Sequence, residues 1–342
     1  MSIILTKNRS ISGRCKLSMA PMMDRTDRHF RYFIRQITKH TLLYTEMLTS
    51  AAILNGDRKN LLGFFPEEKP LSLQLGGSNP QHLAECAHIA EDMGYDEINL
   101  NVGCPSSRVY DGGFGVSLMM HPEIVAKCIE EMILATKLPV TVKHRIGVDN
   151  YDSYEDMVNF VRIVAEAGCE VFVVHARKAW LQGLSPKENR DIPPLRYSEV
   201  HHLKQDFPHV FIEINGGLTN LEQVQEQLQF VDGVMIGRAA YDNPYLFANS
   251  DKLIHGNNDT PPSKYQVVEA MYSYVDYWVS QGLKLNRITR HMLNLFSGQP
   301  GSRVWKQVLT ENSHYEGANT EILRTALEKV KGLEEITSRK QV

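Results

Sequence analysis

The sequence predicts an α/β protein, a (β/α)8 TIM barrel followed by an all-helical domain. Over roughly the first 250 residues short apolar runs alternate with amphipathic segments, the pattern of strand–helix units around a parallel sheet. Eight such units in about 250 residues are what a closed barrel needs. Strand-like runs stop after Asn249, where HGNNDTPP from His255 forms a polar, Pro-ended linker. An open doubly wound sheet is the competing architecture, but no GxGxxG turn follows the first apolar run.

In chain order the strands are expected at Leu17–Ala20, Leu42–Thr45, Leu71–Leu75, Glu97–Leu100, Val140–His144, Val171–His175, Val210–Ile214 and Gly233–Ile236. Helical periodicity falls between them at Gln81–Met93, Pro122–Thr136, Tyr154–Ala167 and Leu221–Gln229, several with a cap or a proline just ahead. Beyond the linker, helices are expected near Lys264–Gln281, Leu283–Phe296, Ser302–Leu309 and Glu321–Thr337. The domains are therefore set at 1–250 and 263–342.

Composition excludes several classes. With 42% hydrophobic and 23% charged residues, 23 Gly and 15 Pro in 342, the chain is neither collagenous, coiled-coil nor disordered. No apolar run approaches the roughly 18 residues of a membrane span. The segment Met1 to Lys16 carries Lys7, Arg9, Arg14 and Lys16 without the apolar stretch of a signal peptide. Five cysteines (Cys15, Cys86, Cys104, Cys128, Cys169) lack ligand spacing, so neither a disulfide framework nor a metal site is expected. A reducing cytoplasm with free thiols follows.

The net charge of -3 hides an asymmetry, because the segment from Ser263 to Val342 carries 11 Lys and Arg against 8 Asp and Glu. No acid occurs from Tyr277 to Thr310, while Lys284, Arg287, Arg290, Arg303 and Lys306 all fall there. Such a run is either a solvated helix face or a polyanion-binding surface.

Active groups of a barrel gather where strands end. Pro21, Met22 and Met23 follow the first strand, Gln74 closes the third, and Asn101 to Pro105 follow the fourth. Lys143 lies near the end of the fifth and His175 ends the sixth. Asn215, Gly216 and Gly217 follow the seventh, and Gly237 and Arg238 the eighth. Glycines after the last two strands let backbone N–H groups approach a phosphate, to which Arg238 could add charge-assisted bonds. Lys143 sits in the apolar run PVTVKHRIG and needs a counter-charge: a core ion pair, or a reduced flavin, whose N1 and C2=O carry negative charge. His175 is either packed and satisfied or a donor at the barrel mouth. Cys104 follows a strand in NLNVGCPS, on a loop shaped by Gly103 and Pro105, and is a candidate nucleophile or acid. As an acid it must be protonated at neutral pH, as an ordinary thiol is.

These motifs resemble the FMN-dependent tRNA-dihydrouridine synthases across nearly the whole chain. The resemblance rests on APMMDRTDRHFR from Ala20, NLNVGCPS from Asn99, VKHRIG from Val142, HAR at His175, INGG at Ile214 and GRAAYDNPY from Gly237. WLQGLSPKENRDIPPLRY, Trp180 to Tyr197, and SGQPGSRVWKQVL, from Ser297, are similar to the bacterial A-type branch. That branch reduces uridine at positions 20 and 20a of the tRNA D-loop. The resemblance implies FMN as cofactor and NADPH, or NADH, as electron donor, with tRNA as substrate. It implies that Pro21, Met22 and Met23 support the flavin ring, that Gln74 bonds its edge, and that Lys143 and His175 contact it. Asn215, Gly216, Gly217, Gly237 and Arg238 would hold its phosphate. Cys104 matches the family's proton donor, Asn101 lies beside the target base, and Lys187, Arg190, Arg303 and Lys306 match its tRNA contacts. A cytoplasmic monomer without a stable protein partner is expected. Two rivals share some of these features: an FMN barrel acting on a free pyrimidine, like dihydroorotate or dihydropyrimidine dehydrogenases, and a non-catalytic RNA-binding barrel.

Overall fold

A computed structural model of the chain describes residues 13–339; Lys7, Arg9 and the outermost ends of both expected domains lie outside the described residues. Nine parallel strands are present among them: β1 Leu17–Met19, β2 Leu43–Tyr44, β3 Leu48–Thr49, β4 Leu71–Gly76, β5 Glu97–Val102, β6 Val140–Arg145, β7 Val171–His175, β8 Phe211–Asn215 and β9 Gly233–Ile236. They pair in the order β1-β9-β8-β7-β6-β5-β4-β2. A parallel bridge between Ser18 and Leu42 brings the last strand back to the first and closes the barrel. All eight expected strands are present. The short β3, beside the end of β4 at Leu48↔Leu75, is additional.

The helices between strands follow the expected segments closely, at Pro80–Asp92, Pro122–Ala135, Tyr154–Glu166 and Leu221–Gln227. Their starts are set locally. Asn79, Ser153 and Asn220 each accept an N–H from the first turn, which satisfies a donor that has no partner within the helix.

The described residues divide into two compact units, 13–24 with 41–237 and 25–40 with 238–339. The division after Gly237 precedes the expected one at 250, and the helix Arg28–Arg35 goes with the later segment. Aromatic packing explains this assignment: Tyr32 stacks on Tyr274 with ring centroids 3.8 Å apart, and Phe30 packs on Tyr241 at 4.9 Å. The expected helix Lys264–Gln281 is two helices, Lys264–Ala270 and Tyr272–Ser280. At the break the Met271 amide bonds the carbonyl three residues back, tightening the last turn. Within Leu283–Phe296 only Asn286–Thr289 is α-helical, and successive three-residue bonds replace the rest. Ser302–Asn312 and Glu321–Arg339 complete the second unit.

The barrel interior is unusually polar at its floor. Glu97 of β5 accepts bonds from Arg14, Tyr44, Ser72 and Thr141, and Glu213 of β8 accepts one from Ser18. The guanidinium of Arg14 also lies 3.6 Å from Glu213, so one cation serves two buried carboxylates. A cavity of about 260 Å³ lies at this N-terminal end of the strands, bordered by Arg14, Glu97, Pro139 and Val171.

Candidate functional site at the barrel mouth

The polar groups expected to act lie at the other end, where the strands finish. On β5, alternation points Glu97, Asn99 and Asn101 inward in successive layers. A hydrogen-bonded chain joins them: Asn101 Nδ2 donates to Gln74 Oε1, Gln74 Nε2 to Asn99 Oδ1, and Asn99 Nδ2 to Thr141 Oγ1, each at 2.9 Å. Gln74 is thereby fixed in rotamer, with one amide N–H and one oxygen lone pair left for a ligand.

Asn101 Oδ1 accepts the main-chain N–H of Gly103 at 3.1 Å and of Cys104 at 2.9 Å. The residue expected beside a target base therefore also anchors the loop that carries the thiol. Cys104 is half-buried, whereas Cys86, Cys128 and Cys169 are buried, and burial pushes each of those three thiols up to about 12. Gly115 lies behind the loop at φ +76°, where a Cβ would sit 2.7 Å from the Cys104 carbonyl oxygen. Only glycine allows that approach without displacement.

Lys143 of β6 reaches Asn215 Oδ1 on β8 at 3.2 Å, its one hydrogen-bond acceptor among the described residues. Burial first, then the charge of Arg145, push its ammonium down to about 8, while Glu213 and Cys104 oppose the shift. His175 is held well below the ordinary histidine value by burial, then by the charges of Arg145, Lys143, Arg177 and Arg190. It is neutral at physiological pH, inside a markedly cationic mouth. His144, between Lys143 and Arg145, packs instead against Phe160 and Phe172 and takes no part.

Gly216 and Gly217 have φ of +123° and +71°. A Cβ on Gly216 would stand 2.9 Å from the His175 ring, and one on Gly217 2.6 Å from Leu195. This turn therefore needs glycine for both conformation and space. Asn215 Nδ2 donates to the Met235 carbonyl at 2.8 Å, linking the ends of β8 and β9. Gly237 follows β9, and Arg238 opens the later of the two segments of the second unit. Pro21 and Met22 are partly buried and Met23 is exposed.

Lys187 and Arg190 are exposed on the loop after β7. In the second unit Arg303 is exposed and Lys306 partly so on the helix Ser302–Asn312, and neither is ion-paired among the described residues. Arg290 is not free for an external anion: it bonds Asp27 at 2.6 Å, beside His291. Its place in an acid-free stretch of sequence concealed a partner 263 residues away.

Sequence reasoning missed Arg145 and Asn189. Arg145 is 3% exposed and its Nε donates to the Gly103 carbonyl at 3.0 Å. Burial pushes its guanidinium down to about 10, with a Cys104 charge opposing. VKHRIG contains this residue, but nothing in the spacing separates a buried arginine from a surface one. Among the described residues no His, Cys, Asp or Glu cluster suited to a metal is found, and no helix is long and apolar enough to cross a membrane.

Fold and site together define a (β/α)8-barrel protein whose reactive side chains gather at the C-terminal ends of its strands. Residues 18–331 match the dihydrouridine synthase family model. Proteins named tRNA-dihydrouridine(20/20a) synthase are similar over nearly their whole length. The one from Synechocystis is 59% identical, over 96% of this chain and 98% of its own. That of Vibrio parahaemolyticus is 54% identical over 92% and 97%, and that of Escherichia coli 53% over 93% and 92%. An old yellow enzyme homologue from Zymomonas mobilis has a similar structure at TM-score 0.51 and 10% identity, covering 74% of this chain and 92% of that one, a likeness of fold alone. The chain belongs to the dihydrouridine synthase family.

Proposed function

We propose that this protein reduces uridine to 5,6-dihydrouridine at positions 20 and 20a in the D-loop of tRNA, with FMN at the barrel mouth and NADPH as electron donor. The relatives' names support the substrate and the sites. The observation that carries the chemistry is Cys104, a half-buried thiol on an anchored strand-end loop within electrostatic reach of Lys143 and Arg145.

The residues fit an anionic flavin. Lys143 is a half-buried ammonium with three donors and a single neutral acceptor, and a negatively charged ring edge would supply the partner it lacks. His175 stands on the adjacent strand β7, and Gln74 and Asn215 on β4 and β8, each one strand further round; Pro21, Met22 and Met23 would flank the ring. The amides at Gly216, Gly217 and Gly237 would bind its phosphate, with Arg238 next in sequence.

When bound, FMN reduced by NADPH supplies hydride from N5 to C6 of the uracil. Forming that C6–H bond puts an electron pair across C5 and the C4 oxygen. Cys104 delivers its proton to C5, so the S–H bond breaks, the C5–H bond forms, and the sulfur is left as thiolate. Arg145, which is buried, and Lys143, which is half-buried, would stabilise that charge where screening is weaker than in water. A proton from water then restores the thiol. The base reacts only when turned out of the tRNA stack, at a cost of a few kcal/mol. Contacts of Lys187 and Arg190, and of Arg303 and Lys306, with phosphates would offset it. The protein would act as a cytoplasmic monomer.

The test is to incubate FMN-loaded protein and NADPH with unmodified tRNA and map dihydrouridine by mass spectrometry. Product at 20 and 20a is expected. Turnover of free uracil or orotate, with tRNA inert, would overturn the proposal.

A further inference from the structure

Arg145 ends β6 with no carboxylate partner among the described residues, and its Nε and Nη1 donate to three main-chain carbonyls in two loops. Its Nε donates to Gly103 at 3.0 Å. Its Nη1 donates to Lys178 at 2.9 Å and to Asn189 at 3.0 Å. Gly103 immediately precedes Cys104. Asn189 immediately precedes Arg190 and lies two residues after Lys187.

A buried cation is costly unless each donor finds an acceptor, and charge-assisted bonds to carbonyls offset that cost. The guanidinium is a rigid planar fork, so bonds from one fork to three carbonyls fix the two loops that carry them relative to one another. No single ammonium could hold all three carbonyls in the same arrangement.

The far end of this connection is itself pinned. Asn189 is fully buried, and its side chain accepts from the Trp180 N–H at 2.7 Å while donating to the Trp180 carbonyl at 2.8 Å and to Leu184 at 3.2 Å. The near end is pinned by Asn101, which holds the Gly103 and Cys104 amides. Two ordered loops thus meet at one guanidinium, one carrying the thiol and the other carrying two exposed cations.

We propose that Arg145 is a positioning residue that couples these two loops, so that RNA engaging Lys187 and Arg190 steadies the main chain that carries Cys104. The proposal rests on the tRNA chemistry proposed above. The coupling acts through the three carbonyl bonds, and it makes the placement of the acid depend on occupancy of the RNA-facing loop.

Hydrogen exchange tests this in the FMN-loaded full chain. Unmodified tRNA should slow exchange of the Gly103, Cys104 and Ser106 amides by at least about 5-fold, the lower end of ordinary coupling between sites. In Arg145→Met that slowing disappears while residues 184–190 still respond to tRNA. The kcat for dihydrouridine falls about 10-fold or more with KM nearly unchanged, because placement of the acid and the guanidinium charge that faces its thiolate are lost together. Arg145→Lys keeps the charge without the fork and shows the same loss in milder form, so it serves if Arg145→Met does not fold. Equal tRNA protection of Gly103, Cys104 and Ser106 in parent and variant overturns the coupling.

A second measurement needs no RNA and no turnover. Asn189→Ala loosens the 180–189 turn without touching Arg145 or Cys104. It should speed iodoacetamide alkylation of Cys104, followed by peptide mass spectrometry, about 5-fold in the parent and not at all in the Arg145→Met background. Equal acceleration in both backgrounds overturns the proposal. If this non-additivity is found in a protein that forms no dihydrouridine, the coupling stands and the proposed activity falls; dihydrouridine formed without it leaves the activity and removes the coupling.

Discussion

Lys143 Nζ and Asn215 Oδ1 meet at 3.2 Å across the mouth of the barrel, from strands that β7 separates. The contact gives a neutral acceptor to a cation whose burial has brought it down to about 8. The ammonium fraction therefore falls as pH rises through about 8, and affinity for an anionic flavin should fall with it. A charge-assisted bond is worth about 1.5–3 kcal/mol, so Lys143→Met should retain FMN roughly 10- to 100-fold less tightly at pH 7. Flavin titrations at pH 7 and 9 check this: the parent changes between them and the variant does not. The sign reverses for the flavin-free fold. A lysine lowered on folding leaves the unfolded chain binding more protons between about 8 and its ordinary value, so stability rises with pH across that window. Lys143→Met should therefore raise the melting temperature of the flavin-free protein at pH 7, by an amount that vanishes above pH 10.5. A variant no more stable than the parent at pH 7 counts against the buried charge.

Cys104→Ala removes the acid without altering the Asn101 bond to the residue's main-chain amide, so the loop is retained. NADPH should still bleach the flavin at the parental rate in stopped flow. Dihydrouridine formation should fall about 10²- to 10⁴-fold, the usual worth of general acid catalysis. Product at the parental rate would show that the proton comes from elsewhere.

Much of this site was legible because strand ends carry punctuation. Gly103 and Pro105 mark the Cys104 loop, and the double glycine after β8 marks a turn that needs φ above zero. What stayed hidden depends on partners remote in sequence. Arg14 looked like one more cation of the N-terminal lead, yet it bonds Glu97, 83 residues on. Arg145 sits in an apolar-framed motif, and its partners are backbone carbonyls, which no residue pattern announces. Residues 28–35 fell within the expected barrel domain 1–250 because sequence proximity cannot show that they form a helix whose aromatic face packs on Tyr241 and Tyr274.

Asp27 gives the helical unit a specific acid sensitivity. Burial alone would raise its carboxyl, but His291, the Phe30 amide and His29 together hold it well below the ordinary value. A carboxylate lowered on folding contributes stability that is complete above its unfolded value near 3.8 and is lost as pH falls below it. Asp27→Asn should lower the melting temperature at pH 7 and flatten the acid limb of the stability profile below about pH 4. Thermal melts from pH 3 to 7 measure both, and parallel acid limbs would contradict the assignment.

Arg303 and Lys306 stand three residues apart on one helix, with no acid to neutralise either among the described residues. Contact with one phosphate each would release counterions, at about 0.7 to 0.9 in the slope of log affinity against log salt per contact. Replacing both by alanine should therefore make the slope shallower by about 1.4 to 1.8 and weaken tRNA binding most at low salt. NADPH oxidation without tRNA should be unaffected. Arg290→Ala supplies the contrast, because that guanidinium is bound to Asp27 and its loss should lower the melting temperature rather than the salt slope. Filter binding of tRNA across a salt series separates the two. An unchanged slope in the Arg303 and Lys306 double variant would remove this helix from the RNA surface.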